Sequence, residues 1–227
     1  MLNGQLEKSE ELLVQVIDIS KQMFGPDHDY TLTTMNDLAS TYCDQGRWKE
    51  SEELQVQVMN STKQALGLEH PDTLASISNL ASTYQEQGRW KEAKELQVQV
   101  ISSSERLLGL ENPHTLTNIS NLAWTYQGQG RHKEAEELLV HVMNTRKQVL
   151  GPEHPDTLSS MDNLAHAIKS LGQDGAAFRL MAKCARLRDL KLGPDNPHTA
   201  ASNFTLNKWH RVHATQLSQS LQARAGK

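Results

Sequence analysis

Apolar residues recur along this chain in stripes with helical spacing, interrupted at regular points by Gly and Pro. Leu74, Ile77, Leu80, Ala81 and Tyr84 fall at i, i+3, i+6, i+7 and i+10, which is one face of a helix. That stripe stops at Gly88, a residue that can turn left-handed without a Cβ penalty and so ends a helix cheaply. Upstream, Pro71 keeps the residue before it out of the helical region, and Asp72 or Thr73 can cap the new N-terminus. Thr recurs at this place in Thr31, Thr73, Thr115, Thr157 and Thr199, so it is the steadier cap candidate. A second helix is predicted from about Trp90 to Leu108, with Glu92 and Glu95 near its start and Arg106 near its end, as the helix dipole favours.

A competing pattern occurs inside the second helices. Leu54 to Val58 and Leu96 to Val100 both read Leu-Gln-Val-Gln-Val, the period of a half-buried strand. The alternation covers only five residues of a Glu- and Lys-rich stretch. A helix packed between its partner and the next repeat needs apolar residues on two faces, and Val98 is expected to serve the second.

The stripes themselves repeat. Sliding the chain on itself gives a period of 42 residues, marked by Gly25, Gly67, Gly109, Gly151 and Gly193. Residues 67 to 108 and 109 to 150 are identical at 25 of 42 positions, far beyond chance. The expected organisation is a half-repeat at 1–24, consisting of a second helix only, then four helix-pair repeats at 25–66, 67–108, 109–150 and 151–192. A degenerate fifth unit with a capping helix follows at 193–227. Its apolar residues include Phe204, Leu206, Trp209, Val212, Leu217 and Leu221.

Composition agrees with such an array. Only 5% of the 227 residues are aromatic, which suits a shallow extended core in which each helix packs on near neighbours. Tyr42, Tyr84, Tyr126, Trp48 and Trp90 recur in register and are expected to be structural, whereas Trp124 replaces Ser40, Ser82 and His166 of its sister repeats. No apolar run approaches the roughly 18 residues of a membrane span, and no secretory signal is visible. Two cysteines, Cys43 and Cys184, cannot build a disulfide framework, which points to a reducing, cytoplasmic setting.

Leu80, Ala81, Tyr84, Gly88 and Ala93 recur as Leu38, Ala39, Tyr42 and Gly46, with Ser51 for Ala, and as Leu122, Ala123, Tyr126, Gly130 and Ala135. This pattern resembles the tetratricopeptide repeat. The 42-residue length and the Leu-Gly-x-x-His-Pro-Asp-Thr linker from Leu150 to Thr157 are similar to the kinesin light chain subtype. The resemblance implies an all-α, right-handed superhelical solenoid of antiparallel helix pairs, whose first helices line a concave groove that binds an extended peptide or a helix. It implies a non-enzymatic interaction scaffold. The alternative is a C-terminal sensor segment of a larger signal-transduction ATPase of the NB-ARC or NACHT kind. No Gly-rich loop ending in Gly-Lys-Ser or Gly-Lys-Thr is present, so no nucleotide cofactor is expected.

Groove positions carried over from the resemblance include Asn36, Asp37, Cys43 and Asp44, then Asn79, Ser82, Gln85 and Glu86, then Asn121, Trp124, Gln127 and Gly128, then Asp162, Asn163, His166 and Lys169. Asn36, Asn79, Ser82, Asn121, Trp124, Gln127, Asn163 and His166 are the expected peptide-binding residues. A carboxamide offers both donor and acceptor to a peptide backbone; alternatively each Asn bonds a neighbouring helix and fixes the stacking. Trp124 either anchors a partner's apolar side chain or packs on the next repeat. Basic residues are sparse at these positions and acidic ones frequent, so the expected peptide is neutral or mildly basic.

The remaining chemistry is thin. His28, His70 and His154 recur in one inter-repeat turn, too far apart for a shared ion, and Asn112 and Asn196 replace them elsewhere, which fits a turn-stabilising hydrogen bond. His210 and His213 share a helix face without an accompanying carboxylate or Cys. No metal site or catalytic constellation is expected. Residues 1–172 hold 14 Lys and Arg against 24 Asp and Glu, a net of −10; residues 173–227 hold 9 against 3, a net of +6. Arg179, Lys183, Arg186, Arg188 and Lys191 are expected on a solvated helix, with nucleic-acid binding poorly supported. Weak head-to-tail self-association could join the basic end to the acidic start, where Leu12, Val14, Val16 and Ile19 lack a partner helix.

Overall fold

The computed structural model describes residues 2–225, with side chains described for 4–212 and for Thr215. Among these residues the structure is all α-helical, without strands. Ten helices follow one another: α1 (Leu2–Phe24), α2 (Asp29–Asp44), α3 (Trp48–Leu66), α4 (Pro71–Glu86), α5 (Trp90–Leu108), α6 (Pro113–Gly128), α7 (His132–Val149), α8 (Pro155–Ser170), α9 (Asp174–Leu192) and α10 (Pro197–Ala225). The chain divides into two compact units, Met1–Gln129 and Gly130–Lys227.

Within the first unit each of α1 to α6 packs on its sequence neighbours, and α2, α4 and α6 also touch side by side, forming one layer of first helices. Ile17, Leu32, Met35, Leu38 and Val58 make one buried cluster, and Leu74, Ile77 and Val100 the next, so each first helix inserts between two second helices. Within the second unit α7 to α10 pack in sequence. Leu158, Met161 and Cys184 fill one cluster there, and Ala165, Ala177, Met181 and Trp209 another. Trp209 thus seals α10 onto α8 and α9.

The inter-repeat turn is built differently from the expected Thr cap. His28, His70, Asn112 and His154 occupy the N-cap positions with extended backbone. His Nδ1 accepts the N–H two residues on, at 3.2 Å from Tyr30, 3.3 Å from Asp72 and 3.2 Å from Asp156. Asn112 and Asn196 Oδ1 do the same at 2.9 Å, because Oδ1 of Asn and Nδ1 of His stand at equivalent distances from the backbone. The Thr residues are buried in the first helical turn instead. Thr31 Oγ1 donates to the Gly25 carbonyl at 2.9 Å and Thr157 Oγ1 to the Gly151 carbonyl at 2.8 Å. Gly25 and Gly151 have φ of 100° and 94°, a left-handed conformation that bulkier residues resist.

The Leu-Gln-Val-Gln-Val segments are helical, but their second face is served by a glutamine. Val98 is exposed, whereas Gln55 and Gln97 are buried. Gln55 Oε1 accepts from Thr83 Oγ1, and Gln97 Oε1 from Thr125 Oγ1, both at 2.7 Å across to the next repeat. The polar residue of the alternation therefore faces inward because it has a partner there.

Candidate functional site

On the layer formed by α2, α4 and α6, two cavities open on either flank of α4. The larger, about 660 Å³, is bounded by Leu74, Ala75, Ser78 and Asn79 of α4, by Leu107 and Leu108 at the end of α5, and by His114, Asn118 and Asn121 of α6. The smaller, about 410 Å³, is bounded by Ser40, Cys43 and Asp44 of α2, Gln55 of α3, and Asn79, Ser82 and Glu86 of α4. The structure thus brings Asn79 and Asn121 together along one cavity, and Asn79 and Ser82 along the other.

The side-chain amides of Asn79, Asn121 and Asn163 make no hydrogen bond to the chain among the described residues. The stacking contact runs instead through Asn118, which the resemblance did not mark: its Oδ1 accepts from Ser78 Oγ at 3.3 Å and its Nδ2 donates to Ser104 Oγ at 3.4 Å. Asn36 is half-buried, and its Oδ1 is buried without a partner. Ser82 is exposed and donates to the Ser78 carbonyl at 3.1 Å. Trp124 is 56% exposed, a ring standing out from the first-helix layer. Gln127 is half-buried near the end of α6.

Three neighbouring groove positions make packing contacts between repeats. Gln85 is buried, and its Nε2 donates to the Asn121 carbonyl at 3.0 Å and to Thr125 Oγ1 at 2.8 Å. Cys43, one repeat earlier, is half-buried with Sγ 3.1 Å from Ser51 Oγ and 3.5 Å from Thr83 Oγ1. Both link successive repeats. Gly128 lies under the Trp90 ring, where a Cβ would come within 2.6 Å of it.

In the second unit, Asn163 is exposed on α8. His166 sits edge-on to Trp209, with ring centroids 5.2 Å apart, and its Nε2 is 3.8 Å from Asp162 Oδ2. It is engaged with the α10 cap. Cys184 is buried, and desolvation pushes its thiol up to about 11, so it has no thiolate character to offer chemistry.

The basic end is less solvated than its composition suggests. Arg188 is 5% exposed and its Nη1 reaches Asp162 Oδ1 at 3.0 Å, Ser202 Oγ at 2.5 Å and the His198 carbonyl at 3.3 Å. Lys191 pairs with Glu153 at 2.7 Å. Arg179, Lys183 and Arg186 are exposed as expected. His210 packs on Phe178 with centroids 4.7 Å apart, while the side chains of His213, Leu217 and Leu221 lie outside the described residues. Among the described residues no group of three His, Cys, Asp or Glu could hold a metal ion, and no helix is long and apolar enough to cross a membrane.

The tetratricopeptide repeat model matches residues 1–64, 33–106, 72–148 and 118–189, successive windows that leave little of the chain uncovered. The chain belongs to the tetratricopeptide repeat family. Its subtype follows from a solved structure of a Podosopora anserina kinesin light chain with nearly identical tetratricopeptide-like repeats, 34% identical to this chain. That likeness has a TM-score of 0.71 and covers 84% of this chain and 90% of the other. A second structure of the same description is 35% identical, with a TM-score of 0.68 over 83% and 89% of the two chains. BtubC (BKLC) from P. vanneervenii, 18% identical with a TM-score of 0.74 over 97% and 91%, shares the fold. No curated protein matches the chain. As a tetratricopeptide array of kinesin light chain type, the protein has the architecture of an interaction scaffold.

Proposed function

We propose that this tetratricopeptide array binds an extended peptide or helix of a partner protein across α2, α4 and α6, without catalysing a reaction. The observation that carries this reading is the pair of unpaired amides, Asn79 and Asn121, along one cavity, while Asn118 beside them supplies the stacking contact. An amide that stabilised the stack would be bonded to it. An amide left open on a recessed face is free to pair with both the N–H and C=O of a ligand backbone. Trp124 adds an exposed ring on the same layer, the kind of side chain that dominates binding energy when covered. The acidic groups on this layer favour a neutral or mildly basic peptide. Two free cysteines fit a cytoplasmic setting. The ATPase-sensor alternative gains no support from the relatives.

Head-to-tail self-association has less to recommend it. One repeat period after Leu158, Met161, Ala165 and Ile168 of α8, helix α10 carries Ala200, Asn203, Asn207 and His210, all exposed. Beside that face Phe204 is 71% exposed, a single ring to meet Leu12 and Ile19 of a second copy, which are 62% and 56% exposed. One ring and opposite charge would have to drive the contact.

The test is a selection of displayed random peptides on the 227-residue chain, repeated on a variant with Asn79, Asn121 and Asn163 replaced by Ala. Selected peptides should lose most of their affinity for the folded triple variant. Trp124→Ser should weaken binding with melting unchanged; a large loss of helicity would instead make Trp124 structural. Undiminished binding by the triple variant sinks the reading.

A further inference from the structure

The two cavities flanking α4 differ in chemistry, and the difference specifies a ligand. Leu107 and Leu108, which wall the larger one, are 46% and 44% exposed, so two adjacent leucines stand open beside Leu74 and Ala75. A large apolar side chain placed there would remove both from water. The smaller cavity has Asp44 and Glu86 at its rim, both exposed and, among the described residues, without a cationic partner. Its wall contains Gln55, only 4% exposed. Gln55 Oε1 is taken by Thr83 at 2.7 Å, but its Nε2 has no partner among the described residues. The rest of the side chain is buried and fixed by Thr83, so the open Nε2 is held in place at the cavity wall, where it can donate to an incoming carbonyl.

Asn79 lines both cavities and marks where a ligand passing from one to the other crosses α4. The α4 residues of the two sites are centred about eight positions apart, roughly 12 Å along the axis at 1.5 Å per residue. The sites lie on opposite flanks of one helix, a lateral step of roughly 8 to 10 Å. The diagonal is therefore about 15 Å, which an extended chain spans in four to five residues at roughly 3.3 to 3.6 Å each.

Resting on the groove reading above, we infer that the ligand is a peptide carrying a large apolar residue and, four to five positions away, a Lys or Arg. The apolar side chain fills the cavity of Leu107 and Leu108. The cation lies between Asp44 and Glu86, and Gln55 Nε2 donates to a backbone carbonyl beside it. Asn79 holds the backbone at the crossing. An acidic peptide is repelled from the same site, so charge discriminates ligands as well as attracting them.

The probes are fluorescein-labelled 12-residue Ser/Gly peptides bearing one Phe and one Arg, separated by one to eight positions in both orders, titrated by anisotropy against the full chain. Binding should be tightest at a separation of four to five in one order. It should weaken about tenfold or more when Arg is exchanged for Glu, and fall as salt is raised. The double variant Asp44→Asn, Glu86→Gln should remove the preference for Arg over Gln while keeping the preference for Phe, and Leu108→Ser should do the reverse. Circular dichroism checks that each variant is folded. If peptides bind, and Asn79→Ala weakens them, but neither Arg nor the separation matters, this inference is wrong and the groove reading stands. If no peptide binds, or binding is indifferent to Asn79 and Asn121, both fail.

Discussion

The Cβ that Gly128 lacks would stand 2.6 Å from three atoms of the Trp90 ring. One repeat earlier the corresponding pair is Trp48 and Glu86, and one repeat later it is His132 and Ser170. At the end of α6 the Trp90 ring takes the space that a side chain would fill. Ordinarily Gly to Ala in a helix stabilises by about 0.5 to 1 kcal/mol. Here Gly128→Ala should destabilise by about 1 to 3 kcal/mol, because the ring must move. Urea unfolding gives the sign, and a shift in tryptophan emission reports the displaced ring. In a Trp90→His background the same Ala should regain its ordinary stabilising effect. A neutral or stabilising Gly128→Ala with Trp90 in place would contradict the packing.

Arg188 and Asp162 form the second unit's most buried ion pair, 3.0 Å apart, with Ser202 and the His198 carbonyl completing the guanidinium's partners. Truncating the carboxylate leaves a buried cation without its counter-charge. Asp162→Ala should therefore cost about 3 kcal/mol. Arg188→Met should cost less, since Asp162 keeps 23% of its side chain in contact with solvent and can rehydrate. Thermal denaturation of the two variants decides it, and the reverse order would mean that the pair matters mainly through packing of the Arg stem.

Much of this architecture is legible in the sequence because every repeat restates it. The stripe from Leu74 to Tyr84 gave α4, and Trp90 to Leu108 gave α5, with the glycines marking both corners. Periodicity reports only which residues can be apolar, so it fails where a polar residue faces inward. Gln55, Gln97 and Arg188 are buried because a particular partner, Thr83, Thr125 or Asp162, waits across the layer. Those partners lie 26 to 28 residues away and no local pattern announces them. At the candidate site, Asn79 and Asn121 follow from the repeat register. Leu107 and Leu108 do not, because an apolar pair at a helix end looks like core until the neighbouring helices are placed.

His and Asn are interchangeable at the inter-repeat caps, which makes a direct test possible. His70 Nδ1 accepts from Asp72 N at 3.3 Å, and Asn112 Oδ1 accepts from His114 N at 2.9 Å in the next turn. His70→Asn should preserve stability, and His70→Ala should lose about 1 kcal/mol through the orphaned N–H. Thr73→Ser, which keeps the hydroxyl but removes a methyl from a fully buried site, should also destabilise. Urea midpoints rank the three. If His70→Ala were harmless, the caps would be ornaments of the turn and the linker's His would need another explanation.

Each early repeat is also tied to its predecessor by a carboxylate and an arginine, and this tie sets the acid response. Arg47 reaches Glu10 at 2.7 Å and Arg89 reaches Glu52 at 2.8 Å, with Gln45 and Gln87 donating to the same carboxylates. Bonds from Arg47 and Gln45 hold Glu10 below its ordinary 4.5. Burial pushes Glu52 up, but the Arg89 and Gln87 bonds outweigh it and leave that carboxyl low as well. A carboxyl that is more acidic folded than unfolded binds fewer protons in the native state. Its stabilisation is therefore complete above 4.5 and is lost as pH falls from there through the folded value. Glu52→Gln should lower the urea midpoint at neutral pH, and the gap to wild type should close as pH falls from 4.5 through the folded value. Added salt should narrow the neutral-pH gap, because both partners are partly exposed. The second repeat supplies the control: Lys94 takes the place of Glu52 and lies 5.7 Å from the Tyr126 ring, so Lys94→Gln should leave the acid limb unchanged. An acid limb that Glu52→Gln does not flatten would place the pH sensitivity elsewhere than in these ties.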